Sequence, residues 1–276
     1  MIFLFRSVGV AILVFFTEII HASEIPFRDQ IPPYSLTNEL LILSHTIYDI
    51  DSLDSEAIPS FLTPVKYITT RFDSEVLIAI NNKAKYIVIG FQGTRSLKDV
   101  LVNFYQVAFT FYGPNESEIQ EAGRVHNGQN NVLFNYGLYD AIEKDILTLW
   151  TDHPGYKIHF TGHSQGGALA LLSAPIFALH HPSASVTMIS FGQPRCVKQE
   201  FKDWSRSIDN LSLWNVVLRD DPVPRAPKSV RGYRHAGHLI QLENEGAKLY
   251  YQFTGAEGYI GFPEDWECKW TKKEFI

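Results

Sequence analysis

Ile158-His159-Phe160-Thr161-Gly162-His163-Ser164-Gln165-Gly166-Gly167-Ala168-Leu169-Ala170 is the stretch whose reading decides the fold. An apolar run enters a tight Gly-x-Ser-x-Gly turn, and a helix rich in small residues leaves it. This is the pattern of a nucleophile elbow, in which a strand meets a helix at a sharp corner and the serine hydroxyl is carried free of the backbone. Gly162 and Gly166 flank Ser164 two residues away on each side, where a side chain would crowd the turn. Gly167, Ala168 and Ala170 let the helix press closely on a sheet.

Outward from that corner, buried strands alternate with helical stretches. Upstream, Glu75 to Ile80 and Lys85 to Phe91 are rich in β-branched residues and separated by Asn81-Asn82-Lys83-Ala84, a hairpin signal. Tyr86-Ile87-Val88-Ile89 is apolar without alternation, as in a central strand buried on both faces. Thr37 is expected to cap a helix with Leu40, Leu41, Leu43, Ile47 and Tyr48 on its apolar face, and residues 50–66 read as loop. Gln129 to Trp150 reads as one long amphipathic helix. Downstream, Ser185 to Phe191 and Leu213 to Leu218 are strands, residues 197–208 are helical, and His238 to Leu242 and Lys248 to Phe253 are further strand candidates. This alternation predicts an α/β fold, a largely parallel sheet covered on both faces with added antiparallel strands. Active residues belong at the carboxyl ends of such strands, where Ser164 and Asp221 both fall.

The 276 residues, 45 % hydrophobic with a net charge of −6, predict one domain with a large core. That charge argues against nucleic acid and against a strongly anionic membrane surface as obligatory partners. Residues 1–22 read as a secretory signal: Arg6 precedes the apolar run Val8 to Phe16, and Ala22 and Ser23 offer small residues for cleavage. The alternative is an uncleaved anchor, although Val8 to Ile20 is short for a span and Glu18 interrupts it. Residues 23–276 then form the domain, and secretion is the expectation. The sequons at Asn115 and Asn210 suit a glycoprotein, and Cys196 and Cys268 can pair in an oxidising compartment. No metal-ligand spacing and no cofactor signature appears.

A serine hydroxyl becomes a good nucleophile when a histidine takes its proton and a carboxylate orients that histidine. In the order Ser, acid, His, the best carboxylate is Asp221, after an apolar strand and at the start of the stiff loop Pro222-Val223-Pro224. Asp220 is the lesser candidate. The oxyanion needs two aimed backbone donors: the amide of Gln165, at a helix N-terminus, and one from the loop after the Lys85–Phe91 strand, for which Thr94 is the candidate.

Four stretches together resemble the fungal-type triacylglycerol lipases, the class 3 lipase family of α/β-hydrolases: Phe91-Gln92-Gly93-Thr94-Arg95-Ser96, Val125-His126-Asn127-Gly128, Thr161 to Gly167, and Asp221-Pro222-Val223-Pro224-Arg225. The resemblance implies Ser164 as nucleophile, Asp221 as acid, Thr94 as oxyanion donor and residues 97–112 as a lid over a lipid ester substrate. Read from composition alone, that aromatic segment is equally a helix packed in the core. Gln165 departs from the leucine usual after the serine, with its backbone donor unaffected. His126 matches a family histidine and reads as structural. The family's catalytic histidine lies in a C-terminal loop, yet after Asp221 the sequence offers only His235 and His238. Both are low-ranked bases, so the expectation is a chain ending before that loop. The functional expectations are a secreted ester hydrolase of lipase type, a lipase-fold lipid-binding or interaction protein of impaired catalysis, and a phospholipase or short-chain esterase that shares the machinery and differs only in the pocket. Oligomeric state is not legible.

Overall fold

A computed structural model of the chain describes residues 26–69, 75–94, 109–113, 120–218, 221–245 and 248–250. The expected signal segment, most of the expected lid, the Asn115 sequon, Asp220 and Cys268 lie outside these residues.

The strands in chain order are β1 (Thr63–Thr69), β2 (Glu75–Asn81), β3 (Tyr86–Phe91), β4 (Phe109–Phe111), β5 (Arg124–His126), β6 (Lys157–His163), β7 (Val186–Phe191), β8 (Leu211–Leu218), β9 (His238–Glu245) and β10 (Lys248–Tyr250). The helices are α1 (Tyr34–Thr46), α2 (Asn127–Asn130), α3 (Leu138–Asp152), α4 (Gln165–His180) and α5 (Gln199–Ser205). Among the described residues, eight strands form the main sheet in the order β1-β2-β3-β6-β7-β8-β9-β10, while β4 and β5 pair separately. From β3 through β9 neighbouring strands run parallel. β1 and β2 at one end and β10 at the other add antiparallel pairs. This is the mostly parallel sheet expected.

The alternation of side chains along β2 and β3 divides the core in two. Val76, Ile78, Ile87 and Ile89 face a cluster shared with Ile142 and Ile146 of α3 and Leu169, Leu172 and Ile176 of α4. Leu77, Ala79 and Val88 face the other way, onto Leu40, Leu43 and Ile47. Helix α4 is buried over nearly its whole circumference, so its sequence shows no polar stripe. Helix α1 sits directly on β3 because Gly90 has no side chain: a Cβ there would fall 3.0 Å from Leu43 Cδ2 and 3.2 Å from Ile47 Cδ1. Fully burying a side chain such as Leu43 contributes roughly 2–3 kcal/mol. Below the elbow, Thr161 Oγ1 donates to Ile189 O at 2.8 Å and accepts from Ser44 Oγ at 2.9 Å, tying α1 to β6.

Three expectations need correction. α1 starts at Tyr34, with Pro33 as its N-cap, rather than at Thr37. The rigid proline supplies the entry, and Thr37 Oγ1 instead donates back to Pro33 O at 3.2 Å. Part of the expected 50–66 loop is the edge strand β1, where Pro64 lies at a register shift and so removes no donor that the ladder needs. The expected 129–150 helix is broken: a five-residue π stretch, Asn131–Asn135, follows α2, and α3 begins only after Gly137 at φ 71°.

Candidate active site

The parallel strands all deliver their carboxyl ends to one edge, and the candidate residues gather there. β6 ends at His163, and Ser164 turns the chain into α4 with φ 55° and ψ −123°. That is a conformation an L-residue holds only where its surroundings impose it. The imposition is visible: Ser164 N–H donates to Phe191 O at 2.9 Å, and the corner closes on bare glycine. A Cβ on Gly162 would lie 2.6 Å from Gly166 O and 2.8 Å from Gly167 N. Ser164 is buried, and its Oγ makes no hydrogen bond among the described residues. Gln165 opens α4, so its amide belongs to the first turn, whose N–H groups have no intrahelical acceptor.

Thr94, at the end of the loop after β3, comes to the same corner, with its hydroxyl hydrogen-bonded to Gln165 Oε1. Both oxyanion candidates therefore meet beside Ser164. The side chain of Gln165 thus has a local partner in Thr94, one that an apolar side chain at that position could not bind.

Asp221 begins the loop after β8. Its Oδ1 accepts from Val223 N–H at 2.9 Å, and burial pushes its carboxyl above the ordinary range against the opposing pull of that N–H, His163 and Arg225. Two residues outside the site hold the loop. Arg195 donates from Nη1 to Arg225 O at 2.5 Å and to Pro227 O at 2.9 Å. His235 donates from Nε2 to Pro224 O at 2.7 Å.

The downstream histidines are thus not brought to Ser164. His235 is buried in that framework, where burial pushes its imidazole down to about 3. His238 starts β9, and its Nε2 bonds Asp29 Oδ1 at 2.8 Å while its ring stacks on Trp214. It lies level with Thr161 through Ile189 and Trp214, three strand spacings from β6, or about 14 Å. His126 is buried, with its ring 6.4 Å from that of Tyr233. At the far end of the expected lid, Phe109 stacks on Tyr233 with ring centroids 4.3 Å apart, and Tyr112 donates its buried hydroxyl to Leu172 O.

Sequence reasoning missed Tyr48 and His163. Tyr48 Oη stands 2.9 Å from His163 Nδ1 beneath the elbow, although 115 positions separate them. The Gly-His-Ser order was the available signal for His163; nothing in the sequence pointed to Tyr48.

Among the described residues no group of His, Cys, Asp and Glu is arranged to hold a metal, and no helix is long and apolar enough to cross a membrane. Cys196 is buried, which pushes its thiol up to about 12; its expected partner Cys268 lies outside the described residues. The sequon residue Asn210 uses its Nδ2 for three carbonyls, of Ala178, His181 and Ala184, at 3.0, 3.1 and 2.9 Å.

The chain is similar to known proteins in sequence and in fold. A lipase from Rhizomucor miehei is 28 % identical over 61 % of this chain and 45 % of its own. A secreted mono- and diacylglycerol lipase from Fusarium solani is 28 % identical over 65 % of this chain and 50 % of its own. The chain thus spans about half the length of these relatives. Among solved structures, the Rhizomucor miehei lipase propeptide complex superposes with a TM-score of 0.63 at 23 % identity, covering 77 % of this chain and 70 % of that one. A triacylglycerol lipase from Penicillium expansum gives 0.67 at 17 % identity, covering 78 % and 81 %. At these identities the superpositions speak for the α/β-hydrolase fold alone. The family itself is given by the sequence model of Lipase (class 3), which matches residues 88–230, just over half of the chain: the protein belongs to the class 3 lipase family.

Proposed function

We propose that this protein is an extracellular serine hydrolase of lipase type that cleaves carboxylic esters of acylglycerols. The observation that carries the proposal is Ser164 itself, held at φ 55° and ψ −123° at the head of α4, with a hydroxyl that has no partner among the described residues. Oγ attacks the ester carbonyl carbon, and the oxyanion that forms is met by the amides of Gln165 and Thr94. The alcohol leaves protonated, an acyl-serine ester remains, and water releases the fatty acid. Neither a metal nor an organic cofactor is called for by this chemistry. Relatives named as mono- and diacylglycerol lipases from Fusarium solani and Malassezia globosa support the substrate class, and their naming as secreted supports the location.

The proton leaving Oγ needs an imidazole between Ser164 and Asp221. The commitments of His235 to Pro224 and of His238 to Asp29 support a second reading, a lipase-fold protein that binds lipid esters and turns them over feebly. Loss of the base from such a triad lowers turnover by on the order of a million-fold.

The test is labelling by a fluorophosphonate, with the parent beside Ser164→Ala. Labelling confined to the parent is expected; labelling that survives Ser164→Ala rules the nucleophile out. Release of fatty acid from an emulsified long-chain ester then separates the two readings: the first predicts turnover that Ser164→Ala abolishes, the second neither ready labelling nor measurable turnover, because both reactions need the same activated hydroxyl.

A further inference from the structure

His163 has neighbours on both sides of its ring that the hydrolytic steps above do not use. Tyr48 Oη lies beside the Gly93 backbone, which opposes the effect of burial on the phenol, and stands 2.9 Å from His163 Nδ1, the acceptor toward which its proton is directed. A ring that accepts at Nδ1 carries its proton on Nε2 when neutral. That edge turns to the space over Gly192. A Cβ at Gly192 would fall 3.0 Å from Asp221 Oδ2 and 3.4 Å from His163 Nε2, so the missing side chain leaves one small chamber to both groups. Oδ1 already accepts from Val223 N–H, which leaves Oδ2 as the oxygen facing the imidazole.

We propose that His163 is a positioning residue for Asp221: fixed by Tyr48 as the Nε2–H tautomer, it faces Oδ2 and keeps the acid ionised and oriented at the edge where Ser164 stands. The inference rests on the reading of Asp221 as the acid. No direct hydrogen bond joins Nε2 to Oδ2 across this gap, and each oxygen of a carboxylate accepts two, so Oδ2 keeps room for a base. The electrostatics agree. Burial lowers the proton affinity of His163 and Asp221 pulls it back up, while His163 in turn opposes the effect of burial on Asp221. Of the other groups acting on the pair, His45 of α1 disfavours a charged His163, and Arg225 favours an ionised Asp221.

The tautomer and titration of His163 are read by long-range proton–nitrogen NMR of the full chain, which needs no catalysis. Nδ1 is expected unprotonated and Nε2 protonated at neutral pH. Asp221→Asn is expected to lower the His163 midpoint by about one unit, a tenfold loss of proton affinity. Tyr48→Phe, a smaller change, is expected to release the tautomer. An Nδ1–H ring in the parent, or a midpoint unmoved by Asp221→Asn, overturns the proposal. Ser164 labelling gives the functional readout. His163→Gln, which keeps an N–H near the place of Nε2, retains the rate within a few-fold. His163→Leu loses about tenfold and moves the acid limb of the rate to higher pH; equal rates and unmoved limbs in both variants also overturn it. A parent that takes no label sinks the hydrolase reading instead, and the imidazole measurements still decide the pairing.

Discussion

Gly162→Ala tests the elbow by sterics alone. Gly162 lies outside the left-handed region, so alanine meets no conformational penalty there. What it meets is backbone: the new Cβ falls 2.6 Å from Gly166 O and 2.8 Å from Gly167 N, closer than real Cβ atoms come to any neighbour. Relief to an ordinary contact of about 3.5 Å requires the first turn of α4 to retreat by roughly 1 Å. Overpacking of this kind costs about 1–3 kcal/mol, which for a chain of this size lowers the melting temperature by about 2–10 °C. The same retreat carries the Gln165 amide and Ser164 Oγ out of register with each other, and a misplacement of about 1 Å lowers a reaction rate by about a hundredfold. Gly155→Ala is the matched control, since Gly155 has φ +84° and nothing within 4 Å of its would-be Cβ. It carries a conformational cost of about 1–2 kcal/mol and leaves the site untouched. Calorimetry and the second-order rate of fluorophosphonate labelling read both effects. If Gly162→Ala melts with the parent and labels at the parent's rate, the closed-corner argument is wrong.

Other expectations follow from burial and hydrogen bonding. Burial holds His159 and His235 neutral, pushing each down to about 3 from a usual value near 6.5. The unfolded chain binds their protons more readily, so this part of the stability is complete above pH 6.5 and fades as pH falls toward 3, at about 1.4 kcal/mol per pH unit for each ring. His159→Gln should therefore flatten the acid side of a melting-temperature profile, and a slope equal to the parent's refutes the assignment. Leu43→Ala, at a fully buried position, should cost about 2–5 kcal/mol in denaturant unfolding. Added to Gly90→Ala, it should cost less than the sum of the two, because the new methyl fills the space left by Leu43; strict additivity contradicts the contact. Mass spectrometry of the folded protein should find Asn210 without a glycan, and Asn210→Ala should lower stability by about 1–3 kcal/mol by stranding three carbonyls.

The sheet was legible where burial on both faces writes an unbroken apolar run, as in β3 and β7, and the elbow was legible because its glycines have no substitute. β1 was not, since Pro64 and a half-exposed pattern look like loop until the partner strand and its bulge are seen. The break before α3 was hidden because Val132, Leu133, Leu138 and Tyr139 keep a helical apolar face across it. Within the site, Ser164 and Asp221 announce themselves by the turns around them, and Thr94 by its loop. The link from Tyr48 to His163 depends on how α1 crosses the sheet, which no local spacing encodes. The same holds for Arg195 and His235, whose sequence neighbours say nothing of the carbonyls they bind on the acid's loop.

The lead-in ahead of α1 is strapped to the amino ends of the parallel strands. Arg28 bonds Arg206 O at 3.0 Å and Asp209 at 3.2 Å, Ser212 reaches Arg28 O, and Asp29 meets His238. Helix α1 then carries the chain about 20 Å across to the elbow. Pro26 therefore lies at the pole opposite Ser164. A protein tethered to a bead or an electrode through that end would hold its reactive edge toward the bulk phase. A tether anchored in the loops after β3 or β8 would turn the same edge into the support.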